Sequence, residues 1–326
     1  MTDPLCLVVN PAAGNGRALR AMPAVLTALT TAGGPAVRVC ESTSLSHAAD
    51  CAVDAVGRGE TVVAVGGDGL VGTLAGAVAG AGGVLGLIPA GRGNDFARML
   101  GIPRVATEAA RALMAGEPQP VDLIGVRAGD GPEATVAGSV YLGIVSEGGE
   151  IANRARWVRG PLGYQLAGVR ALLAWQRARF TLDVPGPGDV AGQAGAANGN
   201  GNGNGNGEFP GYCVVVANSG YLAAGVKAAP GADVSDGLLD VLTVEHGSRS
   251  SFLKIMRRAA KGGHVGMDLV GMRQAASVTV RADRAMPAAA DGETLPFASP
   301  LPPGIPLTIR ALPSALRIIR PAAPGQ

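Results

Sequence analysis

The first third of the chain repeats a simple pattern: a short apolar run, a turn of chain breakers, then a segment with helical spacing. Leu5-Cys6-Leu7-Val8-Val9 is apolar at every position, the mark of a strand covered on both faces. Asn10-Pro11-Ala12-Ala13-Gly14-Asn15-Gly16-Arg17 follows as a turn. Leu19 to Ala32 has helical apolar spacing and meets a stop at Gly33-Gly34. Ala36 to Cys40 predicts a second strand. Ser42-Thr43-Ser44 offers capping hydroxyls to a helix from about Leu45 to Gly57. Thr61 to Val65 and Gly83 to Ile88 predict the third and fourth strands, with a helix over Val71–Ala79 between them. Ala90-Gly91-Arg92-Gly93-Asn94-Asp95 leads into short helices at Phe96–Leu100 and Thr107–Ala115. Strands alternating with helices give a mostly parallel sheet, and ligands of such sheets bind beyond the C-terminal strand ends. The loops Asn10–Arg17, Gly66–Gly69 and Ala90–Asp95 all lie at that edge.

After about Asp122 the pattern changes. Strands are predicted at Ala134–Val145, Phe180–Val184, Tyr212–Ala217, Leu238–Val244, Ala276–Arg281, Pro306–Ala311 and Ala315–Arg320. Helical spacing is seen at Pro161–Arg177 and most clearly at Ser250–Lys261. The reading is an α/β domain with a parallel sheet, followed by a β-rich sandwich or distorted barrel. Asn198 to Gly207 is a strict Asn-Gly repeat, which cannot bury apolar surface and predicts a mobile loop over about 190–208.

Composition adds little chemistry. The chain has 326 residues, 47% of them hydrophobic, and a formal net charge of +2. Lys occurs only at Lys227, Lys254 and Lys261, so basic charge is almost all Arg. No nucleic-acid partner is expected. Cys6, Cys40, Cys51 and Cys213 form no CxxC and read as buried free thiols in a reducing cytosol. His47, His246 and His264 are isolated, with no metal-ligand spacing. No signal peptide or membrane span is expected.

The chemistry lies in the turns. Val62-Val63-Ala64-Val65 runs into Gly66-Gly67-Asp68-Gly69 at a helix start, where backbone N–H groups and the helix N-terminus favour an anion. An acid in such a turn fits a cation between Asp68 and phosphates. An ordinary tight turn with an N-cap Asp shows the same residues.

Taken together, Val8-Val9-Asn10-Pro11-Ala12-Ala13-Gly14, Gly66–Gly69 and Ile88–Arg98 resemble the catalytic domain of the diacylglycerol kinase and sphingosine kinase superfamily. Ala229–Asp240 and Asp291-Gly292-Glu293 resemble C-terminal motifs of its bacterial, soluble diacylglycerol kinase-like lipid kinases. The resemblance covers nearly the whole chain and implies an N-terminal domain of the NAD kinase and phosphofructokinase type. It places the nucleotide-binding domain at 1–123, a returning C-terminal strand at about 312–326, and a lipid-substrate domain at 124–311. ATP would lie in the cleft between the two.

The resemblance implies roles residue by residue. Asn10, Pro11 and Gly14, the hydroxyl of Thr43 or Ser42, and Gly66, Gly67, Asp68 and Gly69 would bind nucleotide. So would Gly91, Arg92 and Asn94, with Asn94 and Asp95 equally suited to capping the next helix. Asp68 would hold the catalytic Mg²⁺, directly or through water. Asp236, with the carbonyls of Asp233 and Leu238, would hold a structural Mg²⁺. Glu293 would be the general base.

Two departures stand out. Leu70 replaces the family's Thr, and Thr73, one helical turn on, is the nearest substitute. The Gly143–Arg154 segment lacks the family's Gly-Phe-Asp-like signature, leaving Glu147 or Glu150 as replacements. The implied activity is transfer of the γ-phosphoryl group of ATP to a lipid hydroxyl, with diacylglycerol to phosphatidic acid as first choice. A sphingoid base, ceramide or glycolipid precursor is equally compatible. The alternatives are another superfamily kinase, such as an NAD kinase, and a non-catalytic lipid- or nucleotide-binding homologue. Docking at the inner membrane face from the cytoplasm is implied, with Trp157–Leu162 or the Trp175 region touching lipid; a buried core position explains Trp175 equally well. A homodimer is compatible.

Overall fold

The computed structural model describes residues 3–30, 34–154, 168, 170–185, 207–223, 225–298 and 300–321. The helix stop at Gly33, the Trp157–Leu162 segment and the Asn-Gly repeat up to Asn206 lie outside the described residues. Of the helix read over Pro161–Arg177, residues 170–174 are helical and 175–177 are not.

Four parallel strands form the first half. β1 (Leu5–Val9) pairs with β2 (Val37–Glu41) on one side and β3 (Thr61–Gly66) on the other, and β3 pairs with β4 (Val84–Pro89). β1 and β3 are buried at every position, which is why they are continuous apolar runs rather than alternating ones. The covering helices are α1 (Arg17–Leu29), α2 (Leu45–Gly57), α3 (Asp68–Gly80), the short α4 (Asp95–Met99) and α5 (Ala106–Ala115). α1 buries Ala18, Met22, Val25 and Leu29, one stripe at helical spacing. Ser44 caps α2, its hydroxyl oxygen accepting from His47 N at 3.0 Å.

The second half is antiparallel and β-rich. It contains β5 (Glu117–Ala128), β6 (Ala134–Val136), β7 (Ser139–Gly143), α6 (Ile144–Arg154), β8 (Ala178–Asp183) and β9 (Gly207–Ala217). A two-stranded ribbon, β10 (Tyr221–Leu222) and β11 (Val226–Lys227), precedes β12 (Leu239–Glu245) and α7 (Arg249–Ala259). β13 (Val270–Ala275), β14 (Ser277–Ala282), the β15 (Ala288–Ala290) and β16 (Glu293–Thr294) hairpin, and β17 (Leu307–Arg320) complete it. β9 is buried on both faces. Val214 and Val216 enter one core with Phe180 and Val280, while Cys213, Val215 and Ala217 enter the other with Phe252 and Ile255. The first core is the interior of the sandwich, and the second is covered by α7.

β17 ties the halves together. It pairs antiparallel with β14 and along most of β5, and its Arg317 and Ile318 pair parallel with Val84 and Leu85 of β4.

Several sequence readings are corrected. Ala134–Val145 is not one strand: it breaks at Ala137-Gly138 and turns helical at Ile144, after Gly143 adopts a φ of +94°. Pro306–Ala311 and Ala315–Arg320 are one strand whose register shifts between Leu312 and Leu316, with Ser314 at φ +51°. Cys6 and Cys213 are buried and free, but Cys40 and Cys51 are joined as a disulfide. His47 is not isolated, because its Nε2 lies 3.5 Å from Cys51 Sγ.

Candidate active site

Three loops meet at the C-terminal edge of the parallel sheet. Asn10 Oδ1 accepts from Ala12 N at 3.0 Å, folding the first loop back on itself. Gly14 sits at φ +58°, and a Cβ there would overlap the Ala90 carbonyl oxygen of the third loop. Arg17 Nη2 donates to Gly91 O at 2.6 Å, and Arg92 Nη2 donates to Asn15 Oδ1 at 3.2 Å. Arg20 Nη2 donates to Asn15 O at 3.2 Å, so three exposed guanidinium groups border the two loops. Arg17 and Arg20 were not singled out from sequence, although two Arg three apart at a helix start are a usable sign.

The second loop presses on the third. Gly66 O accepts from Ala90 N and Gly91 N, at 2.7 and 3.0 Å. A Cβ on Gly91 would overlap Gly67 Cα, so these glycines allow two backbones to touch. α3 starts at Asp68, and its ladder begins with Val71 N donating to Gly67 O at 3.1 Å. The amides before Val71 have no intrahelical acceptor, which makes this helix end anion-favouring.

Asp68 has a task that the sequence did not reveal. Its Oδ2 accepts from Asn94 N at 2.8 Å, and its Oδ1 from Asp95 N at 2.7 Å and Phe96 N at 3.4 Å. It caps α4, not its own helix. Asn94, expected at the nucleotide, turns inward: it is buried at φ +52°, with Oδ1 accepting from Gly91 N at 2.9 Å and Nδ2 donating to Gly91 O at 3.2 Å. It closes the third loop. Asp95 Oδ1 pairs with Arg98 at 3.0 Å.

The two departures also resolve. Leu70 is 2% exposed, with its side chain packed against Gly66, so it fills the core beneath the loop. Thr73 Oγ1 donates to Gly69 O at 3.0 Å and is thereby committed to its own helix. Thr43 Oγ1 lies 3.1 Å from His47 Nδ1, while Ser42 N and Oγ both donate to Val9 O. Glu147 pairs with Arg284 at 2.7 Å and is not a free substitute for the missing Asp. Trp175 stacks under Arg284 and packs against both cores of the second half, which favours its core reading over lipid contact.

The second half reaches this site through the β15–β16 hairpin. Its two turn residues, Asp291 and Gly292, both have positive φ, +48° and +89°. Asp-Gly is the dipeptide this tight hairpin turn prefers. The Asp291 carboxylate accepts from Ala137 N, Gly138 N and Ser139 N at 2.9 to 3.2 Å. Burial, with Asp68 adding repulsion, lifts its pKa to about 6 despite those donors. Gly292 N donates to Tyr141 OH at 3.1 Å. Glu293 then lies against the start of α3: a Cβ on Gly69 would stand 3.4 Å from its Oε1. Asp291 packs on Gly72 and Thr135 on Gly76 in the same way. Gly69, Gly72 and Gly76 thus form a side-chain-free strip of α3 on which the second half rests.

Around 233–240 the carboxylates are held by the chain. Asp233 Oδ1 accepts from Ser235 N, and Asp236 Oδ1 accepts from Leu238 N at 2.9 Å. Asp240 is buried; desolvation, then the neighbouring Asp236 charge, raises its pKa to about 6. Asp122, missed from sequence, fastens this loop: its carboxylate accepts from Gly237 N and from Ser314 N, each at 2.7 Å. A lone acid between Val121 and Leu123 in an apolar run was the available sign.

Residues 4–126 match the diacylglycerol kinase catalytic domain, and residues 138–320 match the YegS C-terminal NAD kinase beta sandwich-like domain. A diacylglycerol kinase of Mycobacterium tuberculosis is 31% identical over 96% of this chain and 94% of its own length. A diacylglycerol kinase of Bacillus subtilis is 24% identical over 76% of this chain and 78% of its own. A crystal structure of a Bacillus anthracis protein, provisionally described as a diacylglycerol kinase, shares the fold. Its TM-score is 0.73 at 21% identity, covering 98% of this chain and 95% of that one.

Proposed function

From the membership of this chain in the diacylglycerol kinase-like lipid kinase family, we propose that it transfers the γ-phosphoryl group of ATP to a lipid hydroxyl, with diacylglycerol giving phosphatidic acid. The observation that carries the reading is the approach of Glu293, from the second half, to Gly69 at the start of α3. A base on one wall and an anion-favouring helix end on the other are what phosphoryl transfer needs, since its catalysis is mostly positioning and electrostatics.

In this reading residues 1–123, with the returning strand from about 312, hold the nucleotide, and residues 124–311 receive the lipid. The α3 amides, Gly66, Gly67, Gly69, Gly91 and the turn at Asn10, Pro11 and Gly14 border the phosphates. Arg17, Arg20 and Arg92 supply positive charge beside them. Glu293 takes the proton of the lipid hydroxyl as its oxygen attacks the γ-phosphorus. The bond from that phosphorus to the β–γ bridging oxygen breaks, and ADP leaves. Asp291 holds the Glu293 turn through its three backbone donors.

The Asp68 carboxylate is a hard oxygen donor suited to Mg²⁺, and its Oδ2, which accepts only the Asn94 amide, keeps a lone pair for the ion. Asp68 would hold the ion there, and the ion would neutralise charge on the phosphates. Asp236, with the Asp233 and Leu238 carbonyls, would hold a second, structural ion beside Asp240. Among the described residues no helix is long and apolar enough to cross a membrane. In this reading the protein meets its lipid by docking at the cytoplasmic membrane face.

The test is phosphate transfer from labelled ATP to diacylglycerol in mixed micelles, beside parallel reactions with other lipid alcohols and with NAD. Labelled phosphatidic acid, lost in Glu293→Gln, is the expected outcome. Transfer to NAD with none to any lipid would reject the reading.

A further inference from the structure

Away from the glycine loops, two sulfurs and an imidazole come together. Cys40 lies near the end of β2, and His47 and Cys51 stand one helical turn apart on α2, so both face the strand. One ligand atom from each residue lies within 4.8 Å of the others, and all three side chains are at least partly buried. The Cα atoms of Cys40 and Cys51 are 6.7 Å apart.

We propose that Cys40, His47 and Cys51 form a thiol-gated Zn²⁺ site, closed as the disulfide and opened by reduction. Two thiolates and an imidazole are the donor set of a borderline-soft d¹⁰ cation, not of Mg²⁺. Two sulfurs on one Zn²⁺ at about 2.3 Å stand roughly 3.8 Å apart, which the Cα spacing allows by side-chain rotation alone. The neighbouring Thr43, Ser44 and Leu45 are exposed, leaving the fourth position to water.

The chemistry balances with a dithiol reductant. It gives two electrons and two protons to the Cys40–Cys51 bond and becomes a disulfide itself, leaving two thiols on the protein. Zn²⁺ then displaces both thiol protons and takes the lone pair of His47 Nε2. His47 Nδ1 now accepts from Thr43 N at 3.2 Å, which puts the ring proton on Nε2, facing Cys51 Sγ. Cation binding moves that proton to Nδ1, where it donates to Thr43 Oγ1. The β2–α2 loop is therefore rewired when the site fills.

The experiment uses the full chain, reduced with a dithiol, desalted without oxygen and titrated with Co²⁺ as the probe for Zn²⁺. A thiolate-to-cobalt charge-transfer band should saturate at one cation per chain and be erased by Zn²⁺. It should be absent from the oxidised protein, lost in the Cys40→Ser/Cys51→Ser double variant, and weakened and shifted in His47→Gln. No band in the reduced wild type overturns the proposal. So does a band that persists in the Cys40→Ser/Cys51→Ser double variant, because it would belong to Cys6 or Cys213. The oxidised and reduced wild type share one sequence, so that comparison stands whatever the folding of the variants.

Discussion

The Glu293 carboxylate rests against Gly69, with Oε1 and Cγ each 3.4 Å from where a Cβ on that glycine would stand. The two residues are 224 positions apart in sequence and belong to different halves of the molecule. Their contact is the first of three along α3, followed by Asp291 on Gly72 and Thr135 on Gly76. Glycine at these positions costs helix stability and permits the approach.

Gly69→Ala separates stability from activity. Alanine favours the helix by up to about 1 kcal/mol, so the thermal midpoint should hold or rise. The added methyl meets Glu293 Oε1 and Cγ at 3.4 Å, an ordinary contact distance, so the carboxylate is packed rather than displaced, and kcat should stay within about threefold of wild type. Thermal unfolding and initial-rate assays on one preparation check both. A large fall in kcat would show that the methyl does not fit beside the base.

Asp68→Asn tests the cap. The wild-type carboxylate accepts three backbone N–H groups from the start of α4. The amide has one oxygen, so its NH₂ must face a donor. The expected loss is about 1–3 kcal/mol, read as a lower denaturant midpoint with unchanged slope. If Asp68 also holds Mg²⁺, the concentration of Mg²⁺ giving half-maximal rate rises as well. A stability loss without that rise would leave it a cap alone.

Asp122 is 1% exposed and joins Gly237 of the 233–240 loop to Ser314 of β17. Asp122→Asn keeps one of these two contacts and sets an N–H against the other. We expect a loss of about 2–3 kcal/mol, with faster amide exchange at Gly237 and Ser314. Exchange unchanged at both positions would show that the carboxylate is not what fastens them.

The parallel half was legible because each buried strand is a continuous apolar run bounded by breakers; β1 and α2 have the boundaries that the sequence reading gave them. β5 was missed because Pro118 and Pro120 lie in its first four residues. There it pairs with β17 alone, leaving one edge free of ladder hydrogen bonds. β13 was hidden by Arg273 and Gln274, and α6 by the Val140–Val145 run that precedes it. In the site, the glycines and Glu293 were found through motifs in order. Their meeting depends on packing across α3, which no local pattern encodes. The same limit applies to Cys40, His47 and Cys51, joined by the antiphase of a strand end and a helix face. It applies as well to Asn94, whose sequence position gave no sign that its amide folds back on Gly91.

Asp240 gives a pH signature. Its pKa rises from 3.8 to about 6 on folding, through burial and the nearby Asp236. Between those values the folded chain keeps a proton that the unfolded chain has released. Stability therefore falls as pH rises through that window and levels off above about 6. Asp240→Asn carries no such loss. Its stability relative to wild type should climb between pH 4 and 6 and stay flat above, by about 1–3 kcal/mol in all. Urea unfolding of both proteins across this range, with a chelator present to remove divalent cations, measures it. A difference independent of pH would show that Asp240 is ionised in the fold like an ordinary surface carboxylate.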